Sequence, residues 1–344
     1  LPDGESSRQG KENRPVTIKE IAKIAGVAPT TVSLVLKDSP KISPETKRHV
    51  LRIVEEMEYF PNQSGKLLKQ GRTDAVAVLS SYFQNIFKME FMNGVERAVF
   101  GTKFQLRQFY AEPGREQIKC KEILYGKMAD AVIALSILTA RDFMKRMKAA
   151  HKPVVLVEDV IEGYPGVTFD NYGAAYRAVE YLAAAGRRRI AVSLALKAYM
   201  GHRFVDERLR GYVAALRDLG LEYSEIIELP EYSVESGASI LRRIREKNEL
   251  PDALFCASGD ITAAGFLKEA AAQGVRIPDD IAVMGFDDSI IAQSTTLGLT
   301  TIRQPVFEMG KAALELALAL IEGDTESWSK VIVFKPEIVV RSSA

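Results

Sequence analysis

The sequence predicts a small all-α module followed by a longer α/β body of two lobes, each a parallel sheet flanked by helices. Three observations lead there. From Thr17 to Met57 apolar residues recur at helical spacing in three runs, each opened by a capping residue or a proline. Beyond Arg72 short continuous apolar runs alternate with longer helical periods, the mark of βαβ units. The body is also too long for one such sheet, so two Rossmann-like lobes are the natural division.

Thr17-Ile18-Lys19-Glu20 is a capping box in which the Thr17 hydroxyl and the Glu20 carboxylate each satisfy a backbone amide of the first turn. The helix it starts places Ile18, Ile21, Ala22 and Ala25 on one face, and Gly26 ends it. Pro29 opens a second helix through Leu36, with Val32 and Val35 or Leu36 facing inward. Ser43-Pro44 opens a third, with Val50, Ile53, Val54 and Met57 as its apolar stripe. Two short helices joined by a glycine turn, with a third packed behind, form a helix-turn-helix unit whose second helix enters the major groove of DNA. The exposed side of that helix carries Thr30, Thr31 and Ser33, small hydroxyls that allow close approach to phosphates and base edges.

Charge agrees. The whole chain is balanced, with 46 basic and 45 acidic residues, but twelve Lys and Arg face seven Asp and Glu between Lys11 and Arg72. A basic end on a mildly acidic body is expected when only that end touches nucleic acid. The polar tail 1–14 lacks the apolar stretch of a signal peptide and reads as disordered, and no apolar run reaches membrane-spanning length. A cytoplasmic protein is expected, with Cys120 and Cys256 as buried reduced thiols. The three histidines lack metal-ligand spacing, so neither metal nor cofactor is expected. Dinucleotide, P-loop and nucleophile-elbow motifs are absent, which argues against an enzyme.

In the body, strand-like runs are 75–79, 131–135, 154–157, 190–192, 253–256 and 281–284. Ligands of open parallel sheets bind beyond the carboxyl ends of strands. The polar residues at those ends include Ser81, Asp159, Asn171, Asp260 and Asp287, with Phe87 placed to lie under a ring. Such a set suits a hydroxyl-rich small molecule.

The segments Val16–Ala22, Ala25-Gly26-Val27, Thr31-Val32-Ser33 and Tyr59-Phe60-Pro61-Asn62 resemble, in order and spacing, the headpiece of the lactose-repressor (LacI/GalR) family of transcriptional regulators. The resemblance continues through Asp170-Asn171, Arg208–Tyr212, Ile281–Asp288 and Leu299–Pro305. It implies base contacts at Pro29, Thr30 and Leu34, and phosphate contacts at Thr17, Ser33, Lys37, Ser43 and Thr46. It also implies a hinge from Asn62 to Leu68 that folds on binding and wedges Leu68 into the minor groove. Effector contacts are implied at Arg208, Asp287 and Phe87. The implied protein is a homodimeric repressor of carbohydrate-related genes on a palindromic double-stranded operator. A sugar or sugar derivative in the cleft of a periplasmic-binding-protein-like body would control it. A two-lobed binding protein without a DNA role is the alternative. Departures from the family pattern are Leu34 in place of a polar residue, Gly65 in place of alanine, Gly259 in place of asparagine, and Asn85-Ile86-Phe87 without the usual proline. The segment 193–205 is longer than usual and brings in Tyr199, His202 and Phe204.

The expected domains are the tail 1–14, the helix-turn-helix domain 15–60, the hinge and linker 61–73, and the effector-binding and dimerisation domain 74–344. Within the last, one lobe is expected to take 74–168 with 299–325, the other 170–296 with 330–341.

Overall fold

A computed structural model describes residues 16–59, 72–81, 85–197, 200–222, 225–246 and 250–344. The chain forms two compact units, Leu1–Gly71 and Arg72–Ala344. The expected tail and nearly all of the expected hinge, with Asn62, Gly65 and Leu68, lie outside the described residues, as does Tyr199.

In the N-terminal unit the local signals act as the sequence indicates. Helix α1 (Ile18–Ile24) starts at the Thr17 capping box, with Thr17 N donating to Glu20 Oε2 at 2.6 Å and Glu20 N to Thr17 Oγ1 at 3.4 Å. Gly26, at φ +65°, turns the chain so that Val27 N can donate to Ala22 O at 3.0 Å and close the helix end. Helix α2 (Pro29–Leu36) follows, then α3 (Pro44–Glu56), capped by Ser43 Oγ accepting from Thr46 N at 3.2 Å. Ile21, Ala22, Ala25, Val32, Val35, Val50 and Ile53 form the core of the three helices.

The larger unit contains two six-stranded sheets. The first lobe begins with β1 (Ala75–Ser80), α4 (Ile86–Val99), β2 (Gln105–Tyr110), α5 (Glu116–Tyr125) and β3 (Ala131–Leu135). It continues through α6 (Arg141–Ala149), β4 (Val154–Val157) and β5 (Gly166–Phe169). The second lobe runs α7 (Asn171–Ala184), β6 (Ile190–Leu194), α8 (Arg203–Asp218), β7 (Glu225–Glu228), α9 (Val234–Arg245), β8 (Ala253–Phe255), α10 (Asp260–Ala272), β9 (Ala282–Asp287), α11 (Ile290–Ser294) and β10 (Thr300–Arg303). The chain then returns to the first lobe with α12 (Val306–Glu322) and β11 (Val331–Phe334), and ends in the second with β12 (Glu337–Val339). Strand order is β11-β5-β4-β3-β1-β2 in one sheet and β12-β10-β9-β8-β6-β7 in the other. All described pairings are parallel except β10 with β12. The central strands β1, β3 and β4 are buried along their whole length, because helices cover both faces.

The expected lobe boundaries need correction. Residues 300–303 were expected in the first lobe but pair with β9 of the second sheet, whereas 331–334 were expected in the second lobe but pair with β5 of the first. The chain therefore crosses between lobes after Phe169, after Arg303 and after Phe334. One apolar core runs through both lobes, with Phe169 and Phe286 edge to face at 5.9 Å between ring centres. Each lobe has a further core on its other face. Cys120 and Cys256 are free and buried, as expected, and burial pushes both thiols up to about 12.

Candidate DNA-binding and effector sites

The three headpiece helices begin differently. Helices α1 and α3 have side-chain caps and an acidic residue in the first turn, Glu20 and Glu45, whereas α2 has neither. Pro29 has no amide N–H and Thr31 N donates to Ala28 O at 2.9 Å, so what this uncapped start without nearby acids offers an anion is its positive dipole end. Pro29 and Thr30 lie exposed at this start, and Thr31, Ser33 and Leu34 are half-buried along the helix. Lys37 is exposed just past its end. Thr17, Ser43 and Thr46 have a structural duty as well: Thr17 Oγ1 donates to Glu20 Oε2 at 2.8 Å, and the Ser43 and Thr46 hydroxyls are 2.9 Å apart.

In the body, strand ends from the two lobes converge where the chain crosses between them. Arg208 on α8 is held on three sides. Its guanidinium lies 3.6 Å from the centre of the Phe286 ring, Nε donates to Asn171 Oδ1 at 2.9 Å, and Nη1 donates to Ala257 O at 2.7 Å. Asn171 is fixed in turn by donating to Phe169 O at 3.2 Å. Nη2 of Arg208 has no hydrogen-bond partner among the described residues, nor does the Asp287 carboxylate. Burial raises Asp287 to about 8, with Arg208 opposing and Asp260, Glu158 and Glu90 adding to the rise. Gly259 stands beside it at φ +101°, where a Cβ would come within 3.1 Å of Asp287 Oδ2. A side chain is disfavoured there by both backbone and space, which accounts for the glycine.

On the first lobe, Lys88 is buried and donates to Ser80 Oγ at 2.6 Å, and burial pulls its ammonium down to about 8. Ser136 Oγ donates to Glu158 Oε2. Burial raises Glu158, against the pull of Ser136, Lys88 and Arg208. Glu90 on α4 is also raised, by burial and then by Asp288 of the other lobe.

Thus Asn171, Arg208 and Asp287 come together, while others of the expected set have different duties. Asp260 is a correction: its carboxylate is enclosed, accepting from Ser289 N at 2.7 Å, Ser289 Oγ at 2.9 Å and Thr301 Oγ1 at 2.6 Å, so it braces the second lobe. Asp159 also has its acceptors occupied, by His202 Nδ1 at 2.6 Å and Arg203 N at 2.8 Å. Ser81 Oγ donates to Glu116 at 3.1 Å, and Phe87 packs half-buried against the shared core. Sequence reasoning missed Lys88 and Glu90, which carry no signal there: charged residues early in a helix read as a solvated face.

The family described as bacterial regulatory proteins, lacI family, matches residues 17–62, and a periplasmic binding protein-like domain matches residues 179–344. The HTH-type transcriptional regulator CelR of Thermobifida fusca is 31% identical over 344 residues, covering 97% of this chain and 99% of the relative. The chain belongs to the lacI family of bacterial regulatory proteins. Like its relatives in that family it is a transcriptional regulator, not an enzyme. Catabolite control protein A of Priestia megaterium is 28% identical, with 95% and 99% of the two chains covered. Among solved structures, a transcriptional regulator CelR–cellobiose complex is 29% identical, covers 96% of this chain and all of that one, and has a TM-score of 0.69. A Lac repressor dimer bound to operator and the anti-inducer ONPF covers 96% and 99% with a TM-score of 0.84, and at 21% identity it speaks for the fold.

Proposed function

We propose that this regulator represses carbohydrate-related genes from the cytoplasm, binding a palindromic operator as a homodimer and responding to a sugar-like effector in the cleft between its lobes. The observation that carries the effector reading is Arg208, clamped on Phe286 by Asn171 and Ala257, near the Asp287 carboxyl; among the described residues neither its Nη2 nor that carboxyl has a hydrogen-bond partner. A fixed donor next to an acceptor is what a vicinal pair of hydroxyls requires. Similarity to a regulator solved with cellobiose supports a carbohydrate, and similarity in fold to a repressor dimer on its operator supports the DNA reading.

In this reading Pro29, Thr30 and Leu34 face base edges, Leu34 packing against a thymine methyl. Thr17, Thr31, Ser33, Lys37, Ser43 and Thr46 position the headpiece on phosphates, and Asn62 and Leu68 belong to the hinge. An effector that prefers one arrangement of the lobes shifts operator affinity, and operator shifts effector affinity by the same factor. The test is a panel of mono- and disaccharides, cellobiose included, read by thermal unfolding. A ligand at a hundred times its Kd adds about 2.7 kcal/mol of stability. At least one sugar should raise the unfolding temperature of the wild type and not of Arg208→Ala. A panel without any effect would count against the carbohydrate reading.

A further inference from the structure

One bidentate contact joins the lobes outside the Arg208 constellation. Asp159, just past β4 of the first lobe, reaches the start of α8 in the second. Its Oδ2 lies 2.6 Å from His202 Nδ1 and its Oδ1 accepts from Arg203 N at 2.8 Å. His202 is the N-cap of α8 but gives it no side-chain cap, so the first lobe supplies the acceptor that this helix start lacks. Asp159 is 6% exposed, and removing its partners would leave a buried carboxylate unpaired. The neighbouring Gly201 also meets the first lobe, where a Cβ would lie 3.5 Å from Leu138 Cδ1.

We infer that Asp159 and His202 form a charged latch that holds the lobes together, so that proton concentration acts on the lobe arrangement through which the effector works. The second clause rests on the regulatory reading above; the latch itself does not. Among the described residues, the groups facing His202 include Asp159 and Glu158 after β4, Lys88 on α4, and the Phe204 ring 5.6 Å away on its own helix. Burial lowers His202, but the Asp159 hydrogen bond and the charges of Asp159 and Glu158 outweigh it and leave its pKa raised. The charged latch is therefore complete below the ordinary imidazole value and weakens as pH rises through the raised one. A neutral imidazole can still donate from Nδ1, so alkali loosens the latch without removing it. Lys88 and Asp287, each brought to about 8 by burial, also change charge as pH rises, so the experiment must separate them from His202.

The experiment measures the distance between spin labels on the full chain, without effector or DNA. Labels go on cysteines placed at exposed Glu112, beyond β2, and Glu231, beyond β7. Cys120 and Cys256 are buried and stay unlabelled. The wild type should give a short, narrow distance distribution at pH 6 and a longer, broader one at pH 9. Asp159→Ala should give the longer distribution at both. Asp159→Asn keeps the size and the acceptor for Arg203 and should lose most of the pH response. Identical distributions in wild type and Asp159→Ala at pH 6 would overturn the latch. An equal pH response in both would overturn the role of His202 and assign the proton to the other shifted groups, Lys88, Glu158 and Asp287. Neither result depends on whether a sugar is the effector.

Discussion

The two lobes are built alike and end differently where they meet. Each joins a pair of helices through glycines: Gly94 of α4 with Gly310 of α12 in the first, Gly237 of α9 with Gly265 of α10 in the second. A Cβ at any of the four would sit 2.0–2.1 Å from a facing carbonyl oxygen. At the strand ends the likeness stops. The first lobe has its polar groups engaged, Lys88 with Ser80 and Ser136 with Glu158 internally and Asp159 with the start of α8. The second leaves Arg208 Nη2 and the Asp287 carboxyl without hydrogen-bond partners among the described residues. In the proposed function, receiving a ligand therefore falls to the second lobe.

The shared scaffold gives the largest expected effect. Gly94→Val and Gly237→Val should each destabilise by about 3 kcal/mol, because the new side chain meets backbone that cannot step aside. Denaturant titration of both variants checks it, and tolerance of either would show that the helix pairs are not equivalent. Next is Arg208→Ala, which leaves the buried acceptors Asn171 Oδ1 and Ala257 O unsatisfied, at about 1–3 kcal/mol, and abolishes the sugar response. Ser136→Ala, the corresponding deletion at the first lobe's edge, should leave that response in place, and its loss would dissolve the division of labour between lobes. Asp287 carries a pH signature. Its pKa is raised from 3.8 to about 8 in the fold, so its contribution to stability is complete below 3.8 and is lost as pH rises to about 8. Asp287→Asn should therefore raise the unfolding temperature more at pH 8 than at pH 5, and an equal change at both would mean that the carboxyl titrates normally. The smallest effect is in the hinge. Gly65→Ala should strengthen operator binding about two- to fivefold, the equivalent of roughly 0.5–1 kcal/mol of helix propensity.

What the sequence made legible follows the range of the interactions. The headpiece depends on neighbours three or four residues apart, so the Thr17 box, Gly26, Pro29 and Ser43 mark its helices directly. The central strands were equally plain as apolar runs. The edge strand β2, Gln-Leu-Arg-Gln-Phe-Tyr, is largely exposed and shows no such run, and β7 is similar. The crossings of β10 and β11 were misplaced because sheet membership is decided by partners far along the chain. The candidate effector set was legible in part. Arg208, Asn171 and Asp287 meet, but the enclosure of Asp260 and the reach of Asp159 to His202 depend on packing between segments that no local spacing reveals.

Sequence-specific DNA binding by two copies of the headpiece is the property on which the proposed function depends. Selection of duplexes bound by the full chain from a random DNA pool tests this most directly. The expected result is one enriched motif with two-fold symmetry, its half-sites matched to a symmetric dimer, and weakened binding when Thr30 is replaced. A pool without an enriched motif, or with a single asymmetric half-site, would contradict the account.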